Sequence, residues 1–155
     1  MFARPNLAVL GLVLSLLGAG VSAYLTVEHG RGASPICAFG QGCEVVAQSS
    51  YASLWSIPTA AFGLLMFLIL SVLYSVRLFS PPPPDTQRAF RLATLTIVGA
   101  GLGVSAWLAY VQVFVLSAVC IWCASSEVIV ALLLVVAVAD LWQARRSPDL
   151  GTAAD

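Results

Sequence analysis

Four long apolar runs decide what this chain can fold into. Leu7 to Val27, Pro58 to Leu78, Leu92 to Val115 and Val119 to Leu141 each reach the roughly 20 residues that an α-helix needs to cross the hydrocarbon core of a bilayer. The runs are continuously apolar rather than alternating. That excludes barrel strands, because inside lipid only helices or closed barrels satisfy every backbone N–H and C=O. Only 9% of residues are charged, against about 25% in soluble domains, so little remains for a soluble unit. The expected fold is all-α: a polytopic membrane protein built as a four-transmembrane-helix bundle. Residues 1–155 would form one domain, with an outer loop and short interfacial segment at 28–57 and an inner loop at 79–91. A nucleic-acid partner is not expected.

The basic residues orient the spans. All seven are arginines, and six of them (Arg4, Arg77, Arg88, Arg91, Arg145, Arg146) fall on one side of a four-span layout, leaving Arg31 on the other. The positive-inside rule makes the arginine-rich side cytoplasmic. Both termini then lie inside the inner (plasma) membrane. The first loop and the turn around Ser117 lie outside, and with them all four cysteines, on the side where disulfides persist. The small-residue ending VSA at Val21 to Ala23 resembles a leader cleavage site, but the apolar run continues through Tyr24 and Leu25 to Val27, so a retained span is expected. The SPPPPD segment reads as a stiff inner link, and the tail SPDLGTAAD as a frayed terminus.

The cysteines form two close pairs, Cys37-x5-Cys43 in the first loop and Cys120-x2-Cys123 at the start of the fourth run. Structural disulfides, a zinc site and a redox relay all accommodate four such residues. A purely structural bridge explains the loop pair but leaves the second pair at a helix start, where i and i+3 share one face. Zinc sites favour shorter gaps and polar knuckles. The relay uses both pairs: a helix N-terminus stabilises a thiolate on Cys120, and Cys123, one turn deeper, faces the bundle interior. Exchange through mixed disulfides lets a loop pair accept electrons from a soluble partner and pass them to a fixed pair at membrane depth. The natural acceptor there is a lipid-soluble quinone, of menaquinone or ubiquinone type, which takes two electrons and two protons. A cleft between the four helices would house it.

Glu127 follows Cys120 by seven residues and Cys123 by four, so the three project from about one helix face. An ionisable residue within a span is a functional candidate by default: Glu127 could hydrogen-bond a quinone carbonyl or pass a proton, or else simply snorkel or pair with Gln112. Ser125 and Ser126 are expected to bond back to helix carbonyls. The apolar residues Val45, Val46, Tyr51, Leu54 and Trp55 suggest an interfacial lid, with the aromatic rings as anchors. Pro58 opens the second span, and His29 reads as a solvated interfacial residue. Gly99, Gly101 and Gly103 offer close helix contact within the bundle.

The loop pair, the segment GCEVVAQSSYASLWSIPTAAFG (Gly42 to Gly63) and CIWCASSE (Cys120 to Glu127) together resemble the bacterial members of the vitamin K epoxide reductase family, over nearly the whole chain. The resemblance implies a four-helix bundle around a quinone. It also implies DsbB-like chemistry, in which a periplasmic thioredoxin-like partner is reoxidised to make disulfides in secreted proteins. By motif, Cys37 would exchange with the partner, Cys43 would form the mixed disulfide with Cys120, and Cys123 would face the quinone. Ser49 matches the family's serine near the site, although a turn hydroxyl is its simplest reading. Glu127 falls where vertebrate members place a quinone-contacting tyrosine. The second span, polar before its flanking Arg77 only at Thr59, Ser71, Tyr74 and Ser75, has no counterpart of the vertebrate asparagine, which favours quinone over epoxide reduction. Many bacterial relatives carry a fused thioredoxin-like domain. This chain ends at Asp155 without one, so a separate, DsbA-like partner is expected. The competing reading is a small membrane scaffold or metal-handling protein with structural cysteines.

Overall fold

A computed structural model describes residues 5–37, 42–55 and 57–146. The expectations for Arg4 and for the tail SPDLGTAAD lie outside these residues, as does the side chain of Leu54. Four helices are long and apolar enough to cross a membrane: α1 (Pro5–Gly30), α3 (Thr59–Phe79), α4 (Pro84–Tyr110) and α5 (Ile121–Arg146). The loop after α1 carries α2 (Gly42–Gln48) and a two-residue antiparallel ladder, β1 (Ser53–Leu54) against β2 (Ile57–Pro58). The chain is thus the four-span bundle that hydropathy calls for, with a short helix in its first loop.

That ladder was not anticipated from the irregular apolar pattern of the loop. It turns at Trp55, whose φ of 49° is left-handed and uncommon for a bulky residue. The hairpin is closed beyond the ladder by Thr59, whose N–H donates to Ala52 O at 2.9 Å and whose hydroxyl donates to Tyr51 O at 2.9 Å. Trp55 is left 87% exposed at this end of the bundle, as an interfacial anchor should be.

In the bundle α1 packs on α3 and α5, and α4 packs on α5. The core joins Ala19, Phe67, Leu70, Tyr74, Val98, Val130, Leu133 and Val136. Two glycines of α1 set the α1–α3 distance: a Cβ on Gly11 would enter the Tyr74 ring, and one on Gly18 the Phe67 ring. Close approach through small residues is how helices gain packing where lipid removes the hydrophobic drive. The glycines of α4 behave differently from expectation. Gly101 seats Met66, but Gly99 and Gly103 are exposed with nothing within 4 Å of an added Cβ, because their face of α4 turns away from the other spans.

Most described polar groups inside the bundle are paired, although the buried Tyr74 hydroxyl has no hydrogen-bond partner. Ser15 donates to Leu12 O at 2.9 Å and meets the Ser71 hydroxyl at 3.0 Å, linking α1 to α3. At the end of the bundle away from the cysteines, Asp140 is buried between two arginines. Arg77 reaches its carboxylate at 2.9 Å through both terminal nitrogens, and Arg91 Nε lies at 3.3 Å. Asp140 escaped the sequence reading, although an acidic residue in an apolar run is itself a signal for a buried partner.

Candidate functional site

The site is built where α2 folds down onto the start of α5. Cys37 and Cys43 are joined as a disulfide with a Cα separation of 5.9 Å, while Cys120 and Cys123 are free thiols. A Cβ on Gly42 would collide with the carbonyl of Val119, so only glycine lets α2 lie this close to the turn before α5. Cys43 and Cys120 are each 1% exposed as a result. Cys37, half-buried, sits outside that cover.

Beneath α2 the four spans enclose a cavity of about 490 Å³, within the range of small-molecule sites. Its walls are chiefly apolar, from Leu25, Met66, Phe67, Val104, Leu108 and Val130, and its polar groups gather at the cysteine end. The structure brings Cys43, Cys120, Cys123, Ser49 and Glu127 to this one cavity; Cys37 is not among the residues lining it. Ser49 donates its hydroxyl to Val46 O at 2.7 Å, closing the end of α2, so its turn role and its place at the cavity coexist. His29, read as solvated, is half-buried and lines the cavity. Ser125 and Ser126 bond back to the carbonyls of Ile121 and Trp122.

Cys120 sits at the N-cap of α5, its carbonyl accepting the Ala124 N–H at 2.9 Å. It precedes the span that begins at Ile121. Its thiol is held down to about 6, first by the hydrogen bond donated by the Cys123 thiol and then by the N–H groups of Cys123 and Trp122; burial and the Glu127 charge oppose this. Such a pair at a helix start favours a thiolate on its first sulfur.

Two features of the site were not read from the sequence. Gln112, in a π-helical turn at Val111–Val115, pairs with Glu127 through Nε2 and Oε1 at 3.0 Å, and its own Oε1 accepts the Cys120 N–H at 2.9 Å. The pairing with Glu127 was among the expectations for that residue, but the bond to Cys120 had no sequence signal beyond a lone amide near the end of an apolar run. The second feature is an aromatic clamp on Ile36. Tyr24 and Trp122 meet with ring centroids 4.9 Å apart, the Tyr24 hydroxyl accepts the Ile36 N–H at 3.2 Å, and Trp122 Nε1 donates to Ile36 O at 2.9 Å.

A dithiol whose first cysteine is buried and whose second is half-buried, near a disulfide and lining an apolar chamber within four spans, is an arrangement suited to thiol exchange at a membrane. The model of the vitamin K epoxide reductase family matches residues 9–138, a stretch that includes both cysteine pairs and all but the last turns of α5. The chain is therefore a multi-pass membrane thiol oxidoreductase that belongs to the vitamin K epoxide reductase family.

Proposed function

We propose that this protein reoxidises a thioredoxin-like partner and passes the electrons to a membrane quinone, generating disulfides for secreted proteins. The observation that carries this reading is that Cys43, Cys120 and Cys123 line one largely apolar cavity of quinone-like size. Electrons arriving at the loop pair and an apolar acceptor can therefore meet within one site.

The Cys120–Cys123 dithiol gives two electrons and two protons to the quinone, which leaves as quinol, and a Cys120–Cys123 disulfide forms. A thiolate of the reduced partner attacks Cys37, expels Cys43 as thiolate and makes a mixed disulfide. The partner's second thiol then resolves that bond, leaving Cys37 reduced and the partner oxidised. Cys43 attacks Cys120, expelling Cys123, and Cys37 attacks Cys43, expelling Cys120, which restores the loop disulfide and the dithiol. Glu127, with Cys123 on the cavity wall, is the group to hydrogen-bond a quinone carbonyl, and Ser49 borders the same space.

The sidedness follows from charge. Arg77, Arg88, Arg91 and Arg145 lie toward the end opposite the cysteines, which supports, by the positive-inside rule, a cytoplasmic reading of that end and of both termini. The thioredoxin-like partner is then met on the periplasmic face of the inner membrane.

The test is quinone reduction by purified protein supplied with a reduced thioredoxin-like substrate and a menaquinone or ubiquinone analogue. Turnover that disappears in Cys123→Ser is the expected result. No turnover with either analogue, in protein whose dithiol is intact by thiol titration, would sink the reading.

A further inference from the structure

Gln112 holds three bonds that no sequence motif requires. It is buried at 5% exposure. Its side-chain Oε1 accepts the N–H of Cys120 at 2.9 Å, its Nε2 donates to Glu127 Oε1 at 3.0 Å, and its backbone carbonyl accepts the Ala118 N–H at 3.0 Å. The orientation of the amide is forced, because a backbone N–H can only donate. Oε1 must face Cys120, and Nε2 must then face Glu127. The π-helical turn puts Gln112 where the third span gives way to the connection leading to Cys120, with Leu116 N–H reaching back to Val111 O at 2.9 Å. Such turns recur at functional sites.

Both ends of this bridge matter to the proposed chemistry. The Cys120 N–H lies at the open start of α5, and anchoring it fixes the direction of the N–H groups of Trp122 and Cys123 that support the Cys120 sulfur. At the other end, Glu127 Oε1 is committed as acceptor. The carbonyl oxygen of a neutral carboxyl is the better acceptor, so a proton on Glu127 belongs on Oε2, away from Gln112.

We propose that Gln112 is a positioning residue: it locks the Glu127 carboxyl and the Cys120 backbone in one register, so that the proton donor and the dithiol present themselves to the acceptor together. The proposal rests on the thiol-to-quinone reading for its meaning. Its physical content is the bridge itself.

Two variants separate positioning from acid chemistry. Gln112→Met keeps the volume and removes the bridge. The exchange Gln112→Glu with Glu127→Gln rebuilds it with roles reversed: the carboxylate at 112 accepts from Cys120 N–H and from the new amide at 127. Cys120 reactivity is read in the reduced protein as its alkylation rate by iodoacetamide at pH 7, resolved from Cys123 by fragment-ion mass spectrometry. Gln112→Met should slow alkylation roughly fivefold or more as the thiolate loses its aimed N–H donors. Glu127→Gln alone keeps a carbonyl for Gln112 and should stay within about twofold of the parent. The exchanged pair should also stay within about twofold, while its quinone turnover remains as low as that of Glu127→Gln, with the deficit in kcat rather than KM.

An exchanged pair that alkylates as slowly as Gln112→Met, or a Gln112→Met protein that alkylates like the parent, would overturn the proposal. Should Gln112→Met not fold, the exchanged pair against the parent and Glu127→Gln still decides it. The alkylation arm needs no quinone. A parent protein that reduced none would therefore tell against the electron path and leave the bridge to stand or fall on the alkylation rates.

Discussion

The indole N–H of Trp122 donates to the carbonyl oxygen of Ile36 at 2.9 Å, tying the centre of Cys120-x-x-Cys123 to the residue just before Cys37. The membrane dithiol and the loop disulfide are therefore mechanically joined before any sulfur exchanges. Trp122→Phe keeps a ring against Tyr24 and deletes one hydrogen bond worth about 1 kcal/mol. The segment leading to Cys37 should loosen, and reduction of the Cys37–Cys43 bond by a soluble monothiol should quicken by roughly 3–10-fold. Stopped-flow thiol release measures this, and an unchanged rate would show that the clamp does not restrain the loop.

Gly42 lets α2 lie against the Val119 carbonyl, and α2 carries Cys43. Gly42→Ala should lift α2 and separate Cys43 from Cys120. In a Cys37→Ala, Cys123→Ser background, oxidation is expected to trap a Cys43–Cys120 disulfide. Adding Gly42→Ala should slow trapping by about tenfold or more, since reacting groups displaced by an ångström lose most of their proximity advantage. Non-reducing peptide mapping over time gives the rate.

The Cys120 thiol, held down to about 6 chiefly by the hydrogen bond from Cys123, predicts a pH profile. Alkylation of Cys120 in reduced protein should be near its plateau at pH 7 and fall as pH drops through 6, where an ordinary thiol reaches half-ionisation only near about 8.5. Cys123→Ala removes the largest cause, so the midpoint should rise. A midpoint that stayed near 6 would assign the effect to the backbone N–H groups alone.

The buried Asp140 carboxylate pairs with two largely buried arginine side chains, Arg77 and Arg91. Asp140→Asn strands them and should destabilise the bundle by about 3 kcal/mol, seen as a lower unfolding temperature in detergent. Asp140→Asn combined with Arg77→Gln should recover part of the loss, because one of the stranded charges is gone. Additive losses in the double variant would mean the two side chains do not share this interaction.

How far the sequence foretold the structure depended on the range of the interaction. The spans were legible because a continuous apolar run carries its own argument, and Cys120, Cys123 and Glu127 shared a face because helical periodicity is local. What was not legible needed two distant segments at once. Gln112 gains its meaning only when Cys120 and Glu127 arrive from the next helix. Gly11 and Gly18 matter because Tyr74 and Phe67 come to rest on them, whereas the more conspicuous Gly99 and Gly103 face outward. The hairpin turning at Trp55 was hidden by an irregular apolar pattern that fits a lid equally well. Asp140 was the one omission with a local signal, a second acid, after Glu127, in an apolar run.

The loop disulfide has a consequence of its own, because its two sulfurs live in different surroundings: Cys37 is half-buried at the rim, and Cys43 is 1% exposed within the cover. In the proposed relay a water-soluble thiol would meet the more exposed Cys37, so attack there would release the Cys43 sulfur under the cover of α2. In that relay the unequal exposure would thereby fix which sulfur is attacked and which is released, giving the exchange a single route without any moving gate.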